Sequence, residues 1–108
     1  MPLTIKDLME KMPGAFLPEK AEGVEAVIQF HMTGDQASEW TATIKDGACT
    51  VDEGEVEEPT MAITADAQDY IDVVTGELNA MNAFMQGKIR IAGDMNLAMK
   101  MVNFFKLN

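Results

Sequence analysis

The chain is poor in the side chains that carry most catalytic and metal chemistry: one cysteine, one histidine, one tryptophan and one tyrosine in 108 residues. A lone Cys49 builds no disulfide framework, and with a lone His31 it supplies no Cys/His cluster for a structural metal. No stretch reaches the ~18–20 apolar residues of a membrane span. The opening MPLTIKDLMEKM spreads its charges through a helical pattern and has no apolar core of a secretory signal. The closing Lys106-Leu107-Asn108 lacks the serine of a peroxisomal Ser-Lys-Leu ending, so a reducing cytoplasm is the default expectation. Basic residues are scarce too: eight against eighteen acids leave a net charge of -10, which opposes a nucleic-acid partner. No glycine-rich phosphate loop follows a strand, and the acidic run DEGEVEE at 52–58 lacks the calcium-loop spacing, so it reads as a solvated loop. No cofactor or metal is expected.

What is present is strong local patterning over one domain, residues 1–108. Thr4 and Asp7 form a capping-box start, and Ile5, Leu8, Met9 and Met12 follow at helical spacing until Pro13-Gly14 stops them. Val24, Ala26, Ile28, Phe30 and Met32 alternate with Glu25, Val27, Gln29, His31 and Thr33, which predicts a strand with one buried face ending at Gly34-Asp35. Asp46-Gly47 predicts a two-residue hairpin; its register pairs Lys45 with Ala48, Ile44 with Cys49 and Ala42 with Val51, so the apolar residues share a face. Met61, Ile63 and Ala65 make a fourth strand. Asp66 then caps a helix carrying Tyr70, Ile71 and Val74, and Asn79 caps a short one with Met81, Phe84 and Met85 on one side. Ile89 and Ile91 alternate with Lys88 and Arg90 in a fifth strand, and Asp94 caps a last helix to about Phe105. The order α-β-β-β-β-α-α-β-α predicts an α+β domain with helices over one sheet face.

The last helix is too apolar for one contact. Leu97, Met101, Phe105, Ala98, Val102, Met95 and Met99 cover an arc of roughly 200°, about twice the stripe of a helix with one partner. One side meets the sheet; the other meets neighbouring helices or an apolar ligand. Five of the ten methionines fall within residues 81–105, and methionine is the apolar side chain that re-packs most easily. The same end is basic: residues 87–108 hold Lys88, Arg90, Lys100 and Lys106 against Asp94 alone. These four bases suit an anionic membrane or an acyl-coenzyme A phosphate, or simply complement the helix's C-terminal dipole.

The segment from Ala65 onward carries T-G-x-L-N at 75–79 and A-F-x-x-G-K-I-x-I-x-G-D-M-x-L-A-M-K at 83–100, and Trp40-Thr41 runs into Lys45-Asp46-Gly47. This pattern resembles the sterol carrier protein 2 family over nearly the whole chain. The resemblance implies a mixed five-stranded sheet with helices covering one face and an apolar tunnel between sheet and helices. It implies a lipid or fatty acyl ligand and no catalytic residues. By position it places Trp40 and Gln86 at the pocket, with a lining drawn from Met81, Phe84, Met85, Ile89, Ile91, Met95, Ala98, Met99, Val102 and Phe105.

The expected function is therefore non-enzymatic binding and carriage of fatty acids, fatty acyl-coenzyme A or other lipids. The alternative is an accessory domain that presents a lipid to a partner enzyme. An enzyme such as a small thioesterase ranks third: His31 points outward on its strand, Cys49 falls on the hairpin's buried face, and the carboxylates lie in helix caps and an exposed run.

Overall fold

Thr4 caps the first helix as its sequence requires. Its hydroxyl accepts from Asp7 N–H at 3.0 Å and the Asp7 carboxylate accepts from Thr4 N–H at 3.3 Å, so two of the helix's orphan donors are satisfied reciprocally. The hydroxyl of Thr4 holds the Asp7 carboxyl below its ordinary range. This α1 spans Ile5–Ala15 and buries Ile5, Leu8, Met9 and Met12. It does not stop at Pro13-Gly14. Pro13 sits in the last turn, where its missing N–H forfeits one bond of a helix already anchored by four buried side chains. The computed structural model describes residues 4–101 and 104, apart from the side chains of Met99 and Met101.

Five strands, β1 (Ala26–Thr33), β2 (Ser38–Lys45), β3 (Ala48–Glu53), β4 (Met61–Asp66) and β5 (Ile89–Gly93), form one mixed sheet in the order β3-β2-β1-β4-β5. Only β1 and β4 run parallel. The β2–β3 hairpin has the predicted register, with Ile44 opposite Cys49 and Ala42 opposite Val51. Asp46 and Gly47 turn at φ 54° and 75°, the positive values that such a turn demands. Gly93 ends β5 at φ +98°, where a Cβ would stand 2.6 Å from the Thr60 carbonyl oxygen and 2.9 Å from Met61 Cα, so only glycine lets β5 close against β4.

Two more helices, α2 (Ala67–Val74) and α3 (Ala80–Met85), lie between β4 and β5, and α4 (Met95–Met101) follows β5. Asp66 and Asn79 cap α2 and α3, and Asp94 Oδ1 accepts from Leu97 N–H at 3.1 Å. The helices lie where one sheet face is apolar: α1 packs on β3 and α2, α2 on β4, and α4 on β4 and β5. Ile28, Phe30, Met32, Trp40, Ala42, Ile44, Met61 and Ile63 from the strands share one core with Leu8, Met9, Met12, Tyr70, Ile71, Leu97 and Phe104. Phe30 meets Tyr70 edge to face at 5.6 Å, joining the central strand to α2.

The other sheet face departs from simple alternation. Gln29 has the outward parity of β1 yet is only 1% exposed, and Thr41 beside it is buried as well. The reason is the chain leaving β3. Gly54 N–H donates to Glu39 O at 2.8 Å, Gln29 Nε2 donates to Gly54 O at 3.2 Å and to Trp40 O at 3.0 Å, and Val56 N–H donates to Gln29 Oε1 at 2.8 Å. Thr41 Oγ1 donates to Gly54 O at 2.8 Å. The acidic run is exposed along most of its side chains, as expected, but its backbone is tied down across the sheet by a glutamine.

Candidate functional site

The segment α3–β5–α4 carries most of the expected ligand-binding residues, and the structure sorts them into two groups. Trp40 and Ile89 are buried in the common core, as is Leu97, which is not among the expected residues, while Ile91 and Ala98 are half-buried against it. Ile89 and Ile91 face the core opposite Ala65 and Ile63 of β4. Trp40 stands opposite Phe30, and its indole N–H donates to Ser38 Oγ at 2.7 Å, so its one polar atom is satisfied within β2.

Met81, Phe84, Met85 and Met95 form the second group, and all four are exposed, Met81 at 60% and Met85 at 76%. The apolar side expected of α3 is therefore open, and the buried residue of this helix, which packs on α2 and β5, is Ala83. Gln86 is exposed at the helix C-terminus, where its backbone N–H donates to Asn82 O at 3.0 Å. The side chain of Met99, and Val102 and Phe105, lie outside the described residues. Phe104, absent from the expected lining, is buried, and its carbonyl accepts from Leu17 N–H at 2.7 Å, joining the C-terminal segment to the chain after α1.

Among the described residues, the exposed large apolar side chains are these four and Val56. Four of five thus fall within fifteen consecutive residues of an otherwise ordinary surface. Three of them share the six-residue α3, and an exposed apolar helix side of this kind suits contact with something apolar. Lys88, Arg90 and Lys100 are exposed in the same segment, Arg90 projecting to the sheet face opposite Ile89 and Ile91 by the pleat of β5, whereas Lys106 lies outside the described residues. No helix among the described residues is long and apolar enough to cross a membrane.

The reactive groups sit elsewhere. Cys49 is buried on the core face of β3, and burial pushes its thiol up to about 11, so it is protonated at neutral pH and not a ready nucleophile. Burial pushes the Tyr70 phenol up as well. A polar depression of about 270 Å³ lies between the β1–β2 turn and the start of α2, lined by Gly34, Asp35, Gln36, Asp66, Ala67 and Gln68. Its two carboxylates make it unsuited to an acyl chain.

Comparison with known proteins bears on the family and the fold. The model of the SCP-2 sterol transfer family matches residues 5–106. Peroxisomal multifunctional enzyme A of Dictyostelium discoideum is 36% identical over 89 residues, which is 82% of this chain and 20% of that protein. Sterol carrier protein 2 of Homo sapiens is 30% identical over 103 residues, 94% of this chain and 19% of its own. The chain therefore spans about a fifth of the length of these curated relatives. A solution structure of a palmitated SCP2-like protein from Aedes aegypti superposes with a TM-score of 0.75 at 26% identity, covering 93% of this chain and 92% of that one. With the family pattern running from α1 past α4 and the same five-stranded architecture, this chain belongs to the SCP-2 sterol transfer family.

Proposed function

We propose that this protein is a non-catalytic carrier of fatty acyl lipids that takes the acyl chain between the sheet and the helices α3 and α4. The observation that carries this is the exposed apolar set Met81, Phe84 and Met85 on a helix docked by one alanine, with Met95 exposed at the start of α4. Burial of a single Ala83 holds α3 by little, so this helix belongs to the low-stability end of the fold and moves at small cost. The palmitate of the Aedes aegypti relative supports the ligand class.

Burial of about fifteen methylenes at ~0.8 kcal/mol each yields roughly 12 kcal/mol gross. That offsets an association cost of ~4 to 15 kcal/mol and leaves weak to moderate affinity with little demand on the head group. Broad acyl tolerance follows. Native mass spectrometry of the purified protein, followed by titration with a fluorescent fatty acid, tests this directly. One bound acyl lipid or saturable uptake is expected; a ligand-free protein that takes up none overturns it.

Lys88, Arg90 and Lys100 add a membrane step to this proposal. They draw the segment to an anionic bilayer while the acidic remainder of a chain with net charge -10 limits its dwell time. Transfer from anionic vesicles is expected to slow several-fold as salt rises from low to ~0.5 M, with zwitterionic vesicles unaffected; equal rates at both salts would remove this step.

The relatives' length favours a second role on the same site. A chain that matches about a fifth of a multifunctional enzyme suits presentation of a bound lipid to a catalytic partner. Recovery of a stoichiometric enzyme on tagged protein, with acyl turnover accelerated by the loaded form, would establish it.

A further inference from the structure

Gln29 and Thr41 hold the chain leaving β3 across the outer sheet face, and this brings together three side chains that the sequence keeps apart. His31 and Glu39 stand opposite each other in the β1–β2 ladder, and His31 Nδ1 pairs with Glu39 Oε2. Glu55 comes from the tied-down loop between Gly54, bonded to Glu39, Gln29 and Thr41, and Val56, bonded to Gln29. One imidazole nitrogen and one oxygen from each carboxylate lie within 4.8 Å of one another. Glu39 Oε2 is buried and has no hydrogen-bond partner beyond its contact with the imidazole.

We propose that His31, Glu39 and Glu55 bind one divalent transition-metal ion, zinc or cobalt, on the sheet face opposite the lipid site. The donor set decides the class. An imidazole nitrogen with two carboxylate oxygens suits zinc and its neighbours in the first transition series, whereas calcium and magnesium prefer all-oxygen shells. Bonds of ~2.0–2.1 Å in a tetrahedral arrangement place ligand atoms about 3.4 Å apart, so the three donors need shifts on the order of 1 Å. His31 and Glu39 are each about a third exposed and Glu55 is exposed, so these side chains have room to make them. Three protein ligands leave the fourth position to water.

The two strand residues are fixed by register, and the third is placed by the bonds of Gln29. Gln29 is thus a positioning residue that orients the loop without touching the ion, the kind of support that fixes metal ligands in place. The sequence hides the arrangement because ligands at 31, 39 and 55 follow no short metal-binding spacing.

Titration of the apo protein with Co²⁺, followed by visible absorption, and with Zn²⁺, followed by calorimetry and melting temperature, tests the proposal on the folded chain. One equivalent of saturable binding is expected, with a visible cobalt band and a higher melting temperature in zinc by mass action. Competition by excess Mg²⁺ or Ca²⁺ should leave it in place. Glu55→Gln, on an exposed loop residue, should weaken zinc at least ~10-fold, the lower end of what even a supporting residue costs, and His31→Ala should remove the cobalt band. Binding that survives both substitutions unchanged, or that Mg²⁺ displaces at equal concentration, is diffuse attraction to the acidic surface and overturns the site. Absence of saturable binding in the parent protein overturns it too.

Discussion

Met81→Glu combined with Met85→Glu is expected to lower fatty acid affinity at least tenfold while leaving the melting temperature within about 2 °C. The two halves of this result have separate causes. Both side chains are mostly exposed, 60% and 76%, so replacing them removes little buried area and creates no enclosed cavity; surface changes of this kind stay near ±0.5 kcal/mol. In the loaded state proposed above they cover the acyl chain, and each methionine contact then contributes a share of the ~1.5–3 kcal/mol that full burial of such a side chain yields. A charged glutamate cannot supply that contact without desolvation. Losing both thus removes on the order of 2 kcal/mol of binding, more than the 1.4 kcal/mol that corresponds to tenfold. A double variant that binds as tightly as the parent would move the acyl chain away from α3. If the double variant unfolds, the single variant Met85→Gln, at the more exposed site, isolates the binding effect.

Gln29→Ala is expected to destabilise the fold by about 3 kcal/mol, a fall of ~10–20 °C in melting temperature for a domain of this size. The glutamine is 1% exposed and accepts from Val56 N–H while donating to Trp40 O and Gly54 O. Truncation strands a donor and weakens the bonds around Gly54, and each buried polar group left without a partner costs ~1–3 kcal/mol. Gln29→Met keeps most of the volume and leaves the same groups unpaired, so it should recover only part of the loss. Both variants should speed proteolysis within residues 54–58, because that stretch is held through this side chain. Thermal melts with a shift under 2 °C for Gln29→Ala would show that the loop is held by something else.

The contrast between these two positions shows how far the amino-acid order carries the structure. Helix starts were legible because Thr4, Asp66, Asn79 and Asp94 each cap with their own side chain, a bond made within three residues. The β2–β3 register was legible because Asp46-Gly47 admits one short turn and the apolar residues then choose a face. Pro13 misled because a breaker near a helix end forfeits little when the stripe before it is buried. Gln29 and the His31–Glu39–Glu55 cluster were hidden for one reason: both depend on where the loop after β3 travels, and DEGEVEE contains nothing that specifies its path. Long-range placement of that sort is tertiary, and so is the parallel pairing of β1 with β4: the family resemblance implied a mixed sheet, and neither it nor periodicity named which strands pair.

The candidate site was legible by segment more than by atom. Alternation placed Ile89 and Ile91 on the core face, as β5 has them. Helical spacing put Met81, Phe84 and Met85 on one side of α3, and the packed residue proved to be Ala83. A short helix with a small residue between large ones approaches its neighbours through the small one, because only there can the backbones come close. The larger side chains stay free, which is where the proposed lipid carriage would use them.

Photo-crosslinking with a diazirine-bearing palmitate, followed by peptide mass spectrometry, tests the central claim most directly. Adducts concentrated within residues 81–98, and suppressed by unlabelled palmitate, are the predicted result. Adducts confined to the outer sheet face around Gln29 and Thr41, or scattered over the surface and indifferent to competitor, would contradict it.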